Sequence, residues 1–153
     1  MKKMKKLITL LLTVLLLLNF TACGKIKEED IIGSWKLIRY QTIVNDRVVG
    51  DDSEQELEER INEYPAEAEF TISRILFNSN KTFIIENVLG DTMDEGTWSI
   101  VNSTDIELVD EFFTETYKLE EGVLIHSYVQ DLTKEPFTMD TVIEQISTYS
   151  KEN

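Results

Sequence analysis

From residue 31 onward, apolar and polar positions alternate in short runs divided by polar breaks. Asp105-Ile106-Glu107-Leu108 has a period of two, and Phe113, Tyr117 and Leu119 fall on one face of the segment that follows. The breaks Asn78-Ser79-Asn80, Gly90-Asp91, Asn102-Ser103 and Glu121-Gly122 recur at the spacing of a β-sandwich or barrel. The pattern predicts strands over 31–44, 69–77, 82–88, 96–101, 105–110, 112–119, 122–130 and 137–149. The last also fits a helical stripe through Met139, Val142, Ile143, Ile146 and Tyr149, and is taken as a strand. Composition agrees with an all-β domain: beyond Cys23 there are two alanines against 36 Val, Ile and Thr, whose Cβ branching suits pleated strands.

One segment breaks the pattern. Ser53 with Glu56 three residues on forms a capping box, Leu57, Ile61 and Tyr64 share a helical face, and Pro65 ends the run. A short helix is therefore expected over 53–64, inserted after the first strand. Residues 51–69 hold nine acids and one base, Arg60, so this helix has a narrow apolar stripe and a charged back.

The N-terminus has a different character. Lys2, Lys3, Lys5 and Lys6 precede a run from Leu7 to Leu18 that is apolar apart from Thr9 and Thr13. Twelve residues give about 18 Å of helix, too little for roughly 30 Å of hydrocarbon, which suits a signal peptide over 1–22 rather than a span. Phe20-Thr21-Ala22-Cys23-Gly24 resembles the lipobox of bacterial lipoproteins, with Phe20 where Leu is usual. The resemblance implies cleavage before Cys23, a diacylglycerol on its sulfur, and acylation of the new N-terminus. It places the protein in a bacterial cell envelope on the extracytoplasmic side, at the outer membrane if the cell is Gram-negative. Cys23 is the only cysteine, so no disulfide competes for it. Residues 23–30 then read as anchor and polar tether, and 31–153 as the folded domain.

Ile31-Ile32-Gly33-Ser34-Trp35-Lys36 resembles the Gly-x-Trp opening of lipocalins and lipocalin-like domains. Leu76-Phe77-Asn78-Ser79-Asn80-Lys81-Thr82-Phe83 resembles their strand-turn-strand hairpin, with Lys81 where Gly is common and Asn80 suited to a left-handed turn. Gly96-Thr97-Trp98-Ser99-Ile100 resembles their mid-chain Gly-x-Trp strand. The likeness implies an eight-stranded up-and-down barrel with Trp35 across its closed end. Lipocalins stack a final-strand Arg on that Trp; no Arg follows Arg74 here, leaving Lys118, Lys134 or Lys151 as partial substitutes.

Charge and chemistry narrow the function. Four of the 15 basic residues and none of the 29 acids lie in the first 22, so the remainder carries 18 net negative charges, which repel nucleic acid. A single His, His126, and the absence of a second thiol leave no Cys–His pair and no ordinary zinc site. Asp91 to Gly96 misses the calcium-loop pattern at Met93. No enzyme activity, metal or cofactor is expected. The reading is instead a small apolar ligand within the barrel, lined by Trp35, Phe77, Phe83, Trp98, Phe113, Glu115, Tyr117, His126 and Tyr128. Glu115 shares parity with Phe113 and Tyr117, and Arg39 with Trp35 and Leu37, so parity alone allows an inward ion pair between them, and a bulge would turn either residue outward. The alternative is an interaction module that engages a basic partner protein through the acidic exterior.

Overall fold

The computed structural model describes residues 25–134, 136 and 139–152; the signal segment and Cys23 lie outside the described residues. The helical turn α1 (Glu28–Ile31) leads into β1 (Gly33–Val44) and β2 (Arg47–Ser53), followed by α2 (Glu54–Glu63) and a 3₁₀ turn, Pro65–Glu67. Seven more strands follow: β3 (Ile72–Phe77), β4 (Thr82–Asn87), β5 (Thr92–Ile100), β6 (Asp105–Val109), β7 (Thr114–Glu120), β8 (Val123–Asp131) and β9 (Val142–Lys151). Neighbours are antiparallel, and β9 returns to pair with β1 from Trp35↔Lys151 to Val44↔Ile143. The result is a closed eight-stranded barrel, with β2 outside the ring.

The last element is a strand because it has an edge to fill on either side: β8 along one and β1 along the other. A helix there would strand both rows of backbone groups. Met139, first residue of the alternative helical stripe, precedes the strand and is exposed. β2 departs from the sequence expectation, which placed no strand between 44 and the helix. Asn45 and Asp46 adopt φ of 46° and 62°, the left-handed pair of a two-residue hairpin turn, and this sends the chain straight back along β1. Further along, α2 starts where expected, with Ser53 N donating to Glu56 Oε2 at 2.8 Å in a capping box.

β1 divides one of its edges. Gly33 to Lys36 pair with β3, whereas Arg39 to Val44 pair with β2. The wall therefore parts beyond Lys36↔Arg74, and the buried Leu57 of α2 fills the gap beside Leu37 and Ile72. A bulge against β9 between Leu37 and Arg39 also reverses the facing of β1. Trp35 and Leu37 point in before it, and Tyr40 packs on the core after it. Arg39 is thus turned outward and makes two hydrogen bonds to Asp51, at 2.7 and 2.6 Å, so no Arg39–Glu115 pair exists.

The closed end is packed solid. Trp35 is buried and donates from Nε1 to the Ile31 carbonyl at 2.8 Å, so Glu28 to Asp30, expected as tether, and Ile31, expected to open the first strand, form a helical turn built into the plug. Lys151 supplies the final-strand cation, its Nζ 5.8 Å from the Trp35 ring centre and 3.0 Å from the carbonyls of Glu29 and Asp30. Gly33 (φ +133°) lies against it, since a Cβ there would meet Lys151 Cε at 3.1 Å. Above this plug Phe77, Phe83, Trp98, Ile106 and Leu124 fill the lumen, with Phe77 edge-on to Trp98 at 5.7 Å. Gly96 is required inside the wall, because a Cβ would stand 2.2 Å from the Val109 carbonyl oxygen and 2.8 Å from the Phe83 ring. In the β3–β4 turn the left-handed residue is Lys81 (φ 69°), not Asn80. Asn80 instead accepts from Thr82 N and Oγ1, and Lys81 Nζ sits 4.0 Å above the Trp98 ring and 2.6 Å from Glu28.

Candidate functional site

Two hollows meet at α2. The larger, about 530 Å³, is an outer groove between α2 and the β3–β4 side of the barrel. Its charged walls are already matched: Lys36 with Glu54 and Glu58, and Arg74 with Glu86. The smaller, about 350 Å³, opens from the mouth into the lumen and is bounded by β1, α2, the loop before β3, β7, β8 and β9. Leu37, Leu57, Thr71 and Ile72 border both. The mouth cavity is the candidate site, because it alone of the two reaches inward-facing residues on both flanks of the barrel closure.

Its floor is a titratable cluster resting on the packed core. Tyr117, buried beneath, stacks on His126 with ring centres 4.5 Å apart and donates its hydroxyl to Glu115 Oε2 at 3.3 Å. His126 Nε2 stands 3.7 Å from the same carboxylate oxygen. Burial lowers the His126 pKa against the opposing pull of Glu115, so the imidazole favours its neutral form. Burial also raises Tyr117 and Tyr149, and Tyr40 with them, keeping three phenols protonated around the cavity. Asp94 is raised by burial and by the Asp110 carboxyl beside it. Arg60 lines the opposite wall, but its guanidinium is held by Asp52 at 2.5 Å and Glu67 at 3.6 Å. Asn87, a buried amide, ties the rim together: its Nδ2 donates to Glu69 O, and its Oδ1 accepts from Leu89 N and Asp91 N.

The residues expected to line a ligand separate into three sets. Glu115, His126 and Tyr128 border the mouth cavity, and Tyr117 supports it from below. Trp35, Phe77, Phe83 and Trp98 are spent on the packed core and do not border the cavity. Phe113 is exposed outside the wall: Asp110 Oδ1 accepts from the backbone N–H groups of Phe112 and Phe113, and this turn delays β7 until Thr114. The other lining residues were missed: Leu37, Tyr40, Leu57, Arg60, Phe70, Thr71, Ile72, Gln145, Ser147 and Tyr149. Tyr40 is hidden in the sequence by the bulge, and β9 gave no period from which to choose an inner face.

Exposed apolar side chains crowd the same end. Phe70, Leu89, Phe112, Phe113 and Met139 come from four successive rim loops, and Val48 and Val49 from the β1–β2 hairpin. At the closed-end turns, among the described residues, the exposed large apolar side chain is Val101.

A closed eight-stranded antiparallel barrel with a plugged base and a mixed apolar and polar mouth is an architecture with room for a small ligand, and it is compatible with a lipocalin-like fold. Comparison with known proteins gives no match to a family model, a curated protein or a solved structure.

Proposed function

We propose that this protein is an extracytoplasmic lipoprotein, held on the bacterial envelope through Cys23, which binds a small amphipathic molecule at the barrel mouth and performs no chemistry on it. The observation that carries the reading is the mouth cavity: apolar walls from Leu37, Leu57 and Ile72 face a polar floor of Glu115, His126 and Ser147. The apolar rim around it supports transfer of such a ligand from an apolar phase, while the solid core confines binding to the mouth. The barrel strands run from Gly33 to Lys151, so binding is testable on a chain that begins at Lys25 and lacks the anchor. A neutral naphthylamine dye should light up on binding and be displaced saturably by short-chain alcohols. Leu57→Glu, which places a charge in the cavity wall, should abolish the signal; an unchanged signal would refute the mouth as the site. Cys23→Ala should abolish incorporation of labelled fatty acid, and retained label would refute the anchor.

A second reading, a dock for a basic partner protein, is favoured by the acids that α2 turns to solvent, Glu56, Glu58, Glu59 and Glu63. Its mark is a complex that dissociates as salt is raised.

A further inference from the structure

The mouth cavity has a charge of definite sign to offer. Among the described residues, His126 is the one basic side chain within 4 Å of Glu115. The imidazole is desolvated under the stack with Tyr117 and favours the neutral form, so it leaves the carboxylate uncompensated. Asp94 and Asp110 lie nearby and add to the negative potential. Arg60, the cation on the far wall, is neutralised by its two carboxylate partners. Tyr40, Tyr128, Tyr149 and Phe70 line the same cavity as Glu115, and aromatic side chains are favourable neighbours for a cation. The apolar stretch of Leu37, Leu57 and Ile72 lies opposite.

We infer that the mouth cavity selects a cationic amphiphile, an ammonium group on an apolar chain, seating the ammonium against Glu115 within the tyrosine-lined floor and the chain against Leu57 and Ile72. This rests on the mouth cavity being a ligand site. It goes further in fixing the sign of the head group, which an apolar cavity alone would leave open.

Three probes of one chain length separate the two claims: octylammonium, octanol and octanoate, each displacing the neutral dye from the chain beginning at Lys25. Octylammonium should displace at about one-tenth the concentration of octanol or less, the discrimination expected of a hydrogen bond to a charged partner, and octanoate should be weakest. Glu115→Gln, isosteric and on a half-exposed side chain, should bring the ratio of octanol to octylammonium concentrations needed for displacement to about one, and a ratio kept near ten would overturn the inference. Equal displacement by octylammonium and octanol, or preference for octanoate, would overturn the inference while leaving the mouth as a ligand site; the second result would point to Arg60. Displacement by none of the three would overturn both.

Discussion

The two ends of the barrel use similar residue types to opposite ends. At the base, aromatic rings are buried and their polar atoms satisfied locally: Trp35 Nε1 finds Ile31 O, and Trp98 Nε1 finds Asn78 O at 3.1 Å. At the mouth, aromatic side chains such as Phe70, Phe112 and Tyr128 stand in solvent, and the phenols of Tyr40 and Tyr149 border an open hollow. The base is packed solid, whereas the mouth keeps apolar side chains in solvent around an open hollow, the usual division between a rigid scaffold and the loops it carries.

That contrast can be broken most directly at its extremes. Trp35→Ala should cost about 3–5 kcal/mol in urea unfolding, the range for removing a buried large aromatic. Phe113→Ala should stay within about 0.5 kcal/mol. Comparable losses for the two would abolish the distinction. Asn87→Ala, which orphans the backbone groups of Glu69, Leu89 and Asp91 at the rim, should cost about 1–3 kcal/mol. Hydrogen exchange should show that loss concentrated in the loops before β3 and between β4 and β5, with β1 and β9 still protected.

The pH dependence sharpens the comparison further, since the perturbed tyrosines and the histidine all lie at or just below the mouth. Tyr117, Tyr149 and Tyr40 bind their protons more tightly folded than unfolded, so their stabilising contribution is complete below about pH 10 and is lost as pH rises beyond it. His126 is displaced downward: its contribution is complete above about pH 6.5 and declines as pH falls below it, because the unfolded chain then takes up a proton the buried imidazole resists. Asp94, raised in the fold, opposes that decline at lower pH. His126→Gln should flatten the melting-temperature profile between pH 7 and 5 while leaving the alkaline fall intact. An unchanged acid limb would show that the imidazole is not desolvated.

Alternation, turn residues and Cβ branching made the barrel legible, and the Ser53–Glu56 box made α2 so. β2 was missed because Val48-Val49 followed by Gly50-Asp51-Asp52 is too short and polar a run to register as a strand. The signal that would have found it is the pair Asn45-Asp46 between branched residues. The site was legible only where strands run true, as at Glu115, Tyr117 and His126. The extra residue in β1 exchanged Arg39 for Tyr40 at the inner face, and no periodicity can announce a bulge. Phe113 shows the converse error: parity was extended past the point where Asp110 had already turned the chain.

The pairing of β1 with β9 also sets a timetable for folding. Val44 waits for Ile143, about a hundred residues further along the chain, before the ring can close. Until then β1 and β8 each present a bare strand edge, the template on which other chains add. Closure at such sequence separation is a slow, high-contact-order step, so the aggregation-prone interval in refolding should last as long as β9 is undocked. A synthetic 142–151 peptide supplied in trans to a chain lacking that strand should compete with self-association, because it offers the missing edge in its native register.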